Sequence, residues 1–594
     1  MQKIPAVVLA VLILLLLAGC GASPEVQNDT VTVVVVDTPR ATVRESCRTV
    51  ERGASVSFEI SAAEGFSLTG TDYAGESEIV DNGSVITLTL LDVRYPTRVS
   101  LSLTSENFVI RYEPNGGEGE SFTEITEIKN HKRPNTANAK APFSKENATL
   151  YSWNTRADGT GTAVGLGRRI TVGSEGMTLY AQWAEWTDES FFIREERDGT
   201  AAVTGCLYTE DVLVVPGQLD GMPVTVLAES AFEGCPASVV ILPPSIETAE
   251  NGCFADAGIT ELYLFDNIEQ LSDACFSETG LGKLHINAYE APAGYAKYKE
   301  SCYADKLDLL ILSQDENRLV FYGGCSMWYN LDMDKVLRTV GDRFTPVDMA
   351  LNGAVTSELQ LRIMLPYLHE GDWFFHTPEL SSNTQMMRST DMGSNTGCIW
   401  AGIEYNYDML AGADLRGIDG VIDSFCSYLG QKNDETEYTG KYKDSHGRSF
   451  MGDYGEIPFQ RNEPEGKNLG DTVEVWSGMI TEESISRLGS WYSLLQSRGV
   501  RVFFSYACMN LDALSYDDQS LARSLNTELR TAIQRMPGVE LLSDMAYFFY
   551  HNGHFFDTNY HLLSHEAKGC TNQWMKALAP YLTGPETGET TQAS

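Results

Sequence analysis

Two adjacent nucleophiles, the Cys325 thiol and the Ser326 hydroxyl, follow the apolar run Arg318–Tyr322 and the pair Gly323-Gly324. Far downstream, Asp557 and His561 stand four residues apart. A nucleophile just past a strand can be cradled by backbone N–H groups at the start of the next helix, which also stabilise an oxyanion. An imidazole within hydrogen-bond reach takes the nucleophile's proton, and a carboxylate orients that imidazole. A thiol beside such a histidine attacks an ester as its thiolate.

The same tail offers a rival chemistry. His551, His554, His561 and His565 are four of nine histidines and crowd around Asp557. His/Asp clusters can hold zinc, but this spacing matches no ligand motif, and a loop plus a helix start spreads the rings. The expectation is no metal and no cofactor. Trp328, Trp373 and Tyr560 could stack on a sugar ring, and their expected place is the core.

These residues need a scaffold. From about residue 312 to 582 strand and helix patterns alternate: a buried strand Arg318–Tyr322, a helix from Ser357 stopped at Pro366, and a strand Asp372–Phe375. A helix Glu482–Gln496 precedes strand Val500–Tyr506, and a helix from Asp518 to Met536 precedes Val539–Leu542. Such alternation gives a parallel sheet covered on both faces, with its site at the carboxyl ends of the strands. The polar stretch Gln431–Asp471 reads as a lid or a mobile loop.

The order strand–Gly-Gly-Cys-Ser, then Asp348-Met349-Ala350-Leu351-Asn352, then a terminal Asp557…His561 pair resembles the SGNH (GDSL-like) hydrolases. The resemblance covers about 265 residues. It implies a doubly wound α/β fold and ester hydrolysis or acyl transfer, with Cys325 or Ser326 as nucleophile, His561 as base and Asp557 as its orienting acid. In the first alignment Cys325 fills the nucleophile slot. A shift by one residue puts Ser326 there instead. Ala350 and Asn352 fall where the family places oxyanion donors. The sequence departs from the family where Asp-x-x-x-His replaces Asp-x-x-His, where the Gly block appears as Ala350, and where Thr377-Pro378-Glu379 stands in place of Gly-x-Asn-Asp.

Upstream, residues 31–105 alternate apolar and polar with β-branched enrichment, the pattern of antiparallel sheet with one solvated face. Residues 106–185 hold Tyr112-Glu113-Pro114-Asn115-Gly116-Gly117, Trp153-Asn154 and Leu179-Tyr180-Ala181-Gln182-Trp183. They resemble the Listeria–Bacteroides repeat, the internalin B-type β-grasp-like module. Between 190 and 290, Phe232, Phe254 and Phe276 recur every 22 residues behind Ala231, Cys253 and Cys275. Each unit carries a short apolar strand (Val224–Leu227, Val239–Leu242, Leu262–Leu264, Leu284–Ile286). A fixed period in this range with one strand per unit marks a leucine-rich solenoid. Ser230-Ala231-Phe232-Glu233-Gly234-Cys235 makes it resemble the BspA-like subfamily, whose neighbours would act as caps.

Lys3, the apolar run Ile4–Leu17 and then Ala18-Gly19-Cys20 describe an export signal, too short for a membrane span. Leu17-Ala18-Gly19-Cys20 resembles the lipobox of bacterial lipoproteins, which implies that the signal is cut just before Cys20 and that Cys20, as the new first residue, carries the lipid anchor. Residues 21–30 would be a linker and 583–594 an unstructured tail. Twelve loosely spaced cysteines form neither a disulfide framework nor a CxxC-type zinc pattern. With 594 residues, the chain holds several domains. Its net charge of −39 argues against nucleic acid or an anionic membrane surface as a partner. The reading is therefore a multidomain chain: N-terminal all-β modules, a short leucine-rich solenoid, and a C-terminal α/β domain with a doubly wound parallel sheet. It would be lipid-anchored on the outer face of the cytoplasmic membrane, with acylated cell-wall or host polysaccharide, or a host or neighbouring-cell surface protein, as partner.

Overall fold

A computed structural model describes residues 30–582 except 39, 64–65, 84, 105–108, 126–134, 137–141, 171–175, 290–301, 315, 352–357, 380–398, 401–402, 405–406, 417–419, 433–450, 466–472, 474 and 476–479. The export signal with Cys20, the linker, Asn352 and the tail lie outside the described residues. So does most of the polar stretch 431–471. Among the described residues no helix is long and apolar enough to cross a membrane.

The first module has its own core. Strand Ala54–Ala62 pairs antiparallel with Ala41–Arg44 and Ile86–Val93. Its Val56, Phe58 and Ile60 point inward while the residues between them are exposed, as the two-residue period of a strand requires. In the second module Val109–Glu113, Met177–Glu185 and Ala148–Asn154 lie side by side around Tyr112 and Trp153. The turn after Glu113 needs positive φ at Asn115 and Gly116, and Asn115 Nδ2 donates to Ala181 O (2.8 Å) to hold it.

The 22-residue period reappears as stacking. Val239–Ile241, Glu261–Phe265 and Lys283–Asn287 run parallel, with Val239, Glu261 and Lys283 in register. Beneath them the rings of Phe232, Phe254 and Phe276 stack at 4.7 and 5.4 Å. Cys253 and Cys275 fill the space between coils and are fully buried. One strand departs from the reading above. Met222–Leu227 pairs with Thr200–Cys206 and Thr248–Ala249 in a separate sheet, and Val212–Val214 takes the position next to Val239. The open end of the stack is closed by the last domain. There Leu415 N–H donates to Gly282 O (2.9 Å), and Asp273 and Asp423 each cap the other's backbone N–H at 3.0 Å. One apolar core consequently runs from Phe192 to Leu582.

The last domain carries strands β1 (Arg318–Gly323), β2 (Thr345–Asp348), β3 (Trp373–Thr377), β4 (Arg501–Phe504) and β5 (Val539–Leu541). All neighbours are parallel, in the order β2-β1-β3-β4-β5. The principal helices are α1 (Tyr303–Leu312), α2 (Cys325–Asn330), α3 (Met333–Val340), α4 (Glu358–Met364), α5 (Val421–Lys432), α6 (Glu482–Ser497), α7 (Tyr516–Gln534) and α8 (Ser564–Leu582). The first module docks on the last domain through Thr32 N–H to Asp334 Oδ1 of α3 (2.9 Å) and through an ion pair of Arg98 with Glu316, just ahead of β1.

At the amino end of the sheet β1 and β3 are clamped together. Arg318, fully buried, donates from Nε to Asp372 Oδ1 (2.9 Å), from Nη2 to Asp372 Oδ2, and to the carbonyls of Leu310 and Tyr367 at 2.6 Å. Asp372 also accepts the N–H groups of Arg318 (3.0 Å) and His369 (2.9 Å). A guanidinium taken out of water survives only with its donors satisfied, so removing the carboxylate leaves an uncompensated buried charge. Asp372→Ala is expected to destabilise the chain by about 3–5 kcal/mol, measured as a lower urea midpoint for loss of near-UV circular dichroism.

Candidate active site

The strand order reverses between β1 and β3, and in open parallel sheets the crevice beyond the carboxyl ends at that point is where ligands sit. Gly323 closes β1 there. A Cβ at this position would lie 2.8 Å from Thr377 O, so only glycine lets the two strand ends approach. Helix α2 begins two residues later, with Gly324 as its extended N-cap.

The structure separates the two nucleophiles. Cys325 is half-buried and its thiol donates to Glu379 Oε1 at 3.6 Å. Ser326 is fully buried, and its Oγ has no hydrogen-bond partner. The Ser326 N–H donates to the same Glu379 Oε1 at 2.8 Å. Glu379, just past β3, therefore caps α2 and holds the thiol with one oxygen, a favourable place for a carboxylate because helix N-termini attract anions. Glu379 was visible in sequence only as the last residue of the block replacing the family's Gly-x-Asn-Asp.

His561 lies against the same helix. Its ring stacks on Tyr329, with centroids 3.6 Å apart and planes 2° from parallel. Tyr329 is one helical turn beyond Cys325, so the two side chains share a face of α2. Asp557 and His561 sit ahead of α8, in a loop closed by Phe556 N–H donating to His561 O (2.7 Å) and a Phe555–Leu562 bridge. This tight return absorbs the extra residue between them and sets His561 Nδ1 2.7 Å from Asp557 Oδ1. His561 Nε2 is buried and has no hydrogen-bond partner, so neither Cys325 nor Ser326 is bonded to it.

Side chains that sequence reasoning passed over position this loop. Asn330 accepts Leu562 N–H (2.7 Å) and donates to Tyr560 O (2.6 Å), tying the end of α2 to the histidine segment. Arg461, almost fully buried, donates from Nε to Leu562 O (3.2 Å) and from Nη2 to Tyr329 O. It belongs to the stretch 431–471 expected to be a lid or mobile loop. The described part of that stretch corrects the expectation, because Tyr454, Glu456, Ile457 and Arg461 are all packed into the core.

Ala350 calls for a second correction. Its N–H donates to Asp348 Oδ1 (2.9 Å) and its carbonyl accepts from Lys306 Nζ (2.6 Å), so it has no N–H left for an oxyanion. Asn352, its companion, lies outside the described residues.

Of the remaining tail histidines, His551 Nδ1 lies 2.8 Å from Asp512, His554 Nδ1 lies 2.6 Å from Glu566, and His565 Nε2 lies 3.3 Å from Glu566. Among the described residues no group of three or more His, Cys, Asp or Glu could hold a metal ion. Trp328 and Trp373 are buried and Tyr560 is half-buried. His376 on β3 is fully buried beside Tyr492 OH (2.7 Å), and burial lowers its pKa to about 3, which keeps it neutral.

Behind α2 lies a buried charged cluster. Lys306 Nζ sits 3.9 Å from Asp348 Oδ1 and 4.4 Å from the Trp328 ring centroid. Trp328 Nε1 in turn donates to Gly455 O (2.9 Å), and Glu456 accepts Tyr454 N–H (2.9 Å). Burial raises Asp348 to about 6 against the pull of Lys306, and raises Glu456 to about 8, with the Asp453 charge adding to it. Burial lowers Lys306.

No family model matches the chain, and no curated protein matches it. Part of the chain is similar to a leucine-rich repeat protein of known structure, that of T. pallidum, with 24% identity and a TM-score of 0.16. The match covers 17% of this chain and 50% of that one, so the chain spans about half the length of that solved structure.

A carboxyl whose folded pKa lies above its unfolded value contributes stability that is full below the unfolded value and is lost as pH rises through the folded one. For Glu456 that window runs from its ordinary 4.5 up to about 8. Glu456→Gln, which keeps the hydrogen-bond acceptor without the charge, should raise the urea midpoint at about pH 9 and leave it nearly unchanged at about pH 5.

Proposed function

We propose that the last domain is an SGNH-like ester hydrolase or acyltransferase acting on O-acyl groups of carbohydrate. The observation that carries this reading is His561: anchored through Nδ1 to Asp557, stacked on the helix that Cys325 begins, and left with a buried, unpartnered Nε2. In this reading Cys325 is the nucleophile, since Ser326 is sealed in the core. His561 takes the thiol proton as sulfur attacks the acyl carbon, then gives it to the departing sugar oxygen. Water activated by the same imidazole releases the acid from the thioester. Bonds between nucleophile and base commonly tighten only once substrate is bound, so an unbonded pair is compatible with the role.

A second reading has its own observation. The Glu379 carboxylate already occupies the thiol and the Ser326 N–H at the start of α2, where an oxyanion would be held. In that reading the domain keeps a hydrolase fold without the reaction and serves as a surface adhesin or glycan-binding scaffold.

The upstream modules support a surface role: a β spacer, a Listeria–Bacteroides-type module and BspA-like repeats, tethered by lipid at Cys20. Cys20→Ala is expected to move the protein from the membrane fraction to the soluble fraction, followed by immunoblot of fractionated cells. For catalysis, protein lacking residues 1–20 is offered p-nitrophenyl acetate and acetylated xylan. His561→Ala should lower kcat/KM by about 10²–10⁴-fold, Cys325→Ala should abolish turnover, and Ser326→Ala should leave it within a few-fold. Turnover indifferent to His561→Ala removes the mechanism, and no turnover by the parent protein selects the scaffold.

A further inference from the structure

Away from the last domain, the second module meets the repeats along a cleft of about 520 Å³ that the proposed chemistry does not use. Its volume falls within the ~300–1,000 Å³ of small-ligand pockets. Four aromatic residues from three segments line it: Tyr151 from strand Ala148–Asn154, Trp183 and Trp186 at the end of strand Met177–Glu185, and Tyr208 from the first repeat. Glu185 and Asp188 stand at the rim.

The two tryptophans are held rigidly. Trp183 Nε1 donates to Pro114 O (2.8 Å) and Trp186 Nε1 donates to Thr149 Oγ1 (2.9 Å). With each indole's one polar atom satisfied inside the protein, what remains for a ligand is carbon surface already fixed in place, which lowers the entropy lost on binding. Tyr151 is braced from the far side by Tyr263 (5.5 Å, 87°), and Tyr263 stacks on His285 at 3.9 Å.

This combination selects its occupant. Backbone groups along the cleft are already paired: Trp186 N–H to Asn147 O (2.8 Å), Thr187 N–H to Val214 O (3.0 Å) and Val215 N–H to Ile241 O (3.0 Å). A peptide adding itself as a strand would find those donors taken. Two rim carboxylates, on a chain of net charge −39, repel phosphate, sulfate and uronate groups. An uncharged pyranose suits both features, because its C–H face packs on aromatic carbon while its hydroxyls donate to carboxylate oxygens. Glu185 is well exposed, with Lys145 3.1 Å away, and Asp188 accepts from Ser190 N–H (2.9 Å). Each carboxylate keeps lone pairs for a sugar hydroxyl.

We propose that this cleft is a carbohydrate-binding subsite for the neutral pyranose rings of a polysaccharide. It stands whether or not the last domain is catalytic. The full chain, purified in mild detergent, is titrated with the hexamers of β-linked glucose, xylose and N-acetylglucosamine, and with polygalacturonate as the anionic control. Binding is read by calorimetry and by tryptophan fluorescence. At least one neutral hexamer should bind, and Tyr208→Ala and Trp186→Ala should each raise its Kd about tenfold or more. Near-UV circular dichroism checks the fold, and Tyr208→Ala carries the test if Trp186→Ala loosens the junction. The proposal is overturned if no neutral hexamer binds, if binding is indifferent to Tyr208→Ala, if polygalacturonate binds tighter, or if the fluorescence change follows self-association instead.

Discussion

The buried Arg318–Asp372 pair is the constraint from which the rest of the last domain follows. It joins the first residue of β1 to the residue before β3 and satisfies both partners with backbone groups as well as each other. Register in a parallel sheet is otherwise weakly specified where both faces of the strands are buried, as in β1 and β3. With the amino ends locked, Gly323 and Thr377 must finish opposite each other. Cys325 and Glu379 then emerge on the two sides of one crevice. A charge network at one end of the sheet thus fixes which side chains meet at the other.

Two opposing features meet in that crevice. The histidine side holds an oriented imidazole, a carboxylate behind it and a loop fixed by Asn330 and Arg461. The nucleophile side is partly filled by Glu379, which stabilises the start of α2 and holds the thiol as a donor. In the proposed reaction an incoming acyl group would have to displace one hydrogen bond from Glu379. The cluster of Lys306, Asp348 and Glu456 supports the crevice from beneath and consumes the Ala350 N–H in doing so.

Local signals were legible wherever a side-chain period carried them. The run Arg318–Tyr322, the helix at Glu482 and the recurrence of Phe232, Phe254 and Phe276 all stand in the structure at or near the residues where the pattern put them. Val224–Leu227 is recognisable as a strand, but alternation reports a strand's faces and says nothing of its neighbour, and it pairs in a sheet apart from Val239–Ile241. The stretch holding Arg461 looked like solvated loop because its apolar residues are sparse. It is ordered by pairing Arg461 with residues about a hundred positions away.

By itself the sequence determined the periodic elements, the acidity, and the presence of a thiol beside a hydroxyl and of an Asp–His pair, since each is a property of residues close together in the chain. Only the tertiary structure decided that Ser326 is sealed while Cys325 is reachable, that Ala350 has no N–H to give, that Glu379 caps α2, and that four aromatic residues from three segments line one cleft. Those facts depend on which distant backbones are brought within hydrogen-bond distance, and packing, unlike local periodicity, leaves no repeating mark in the order of the residues.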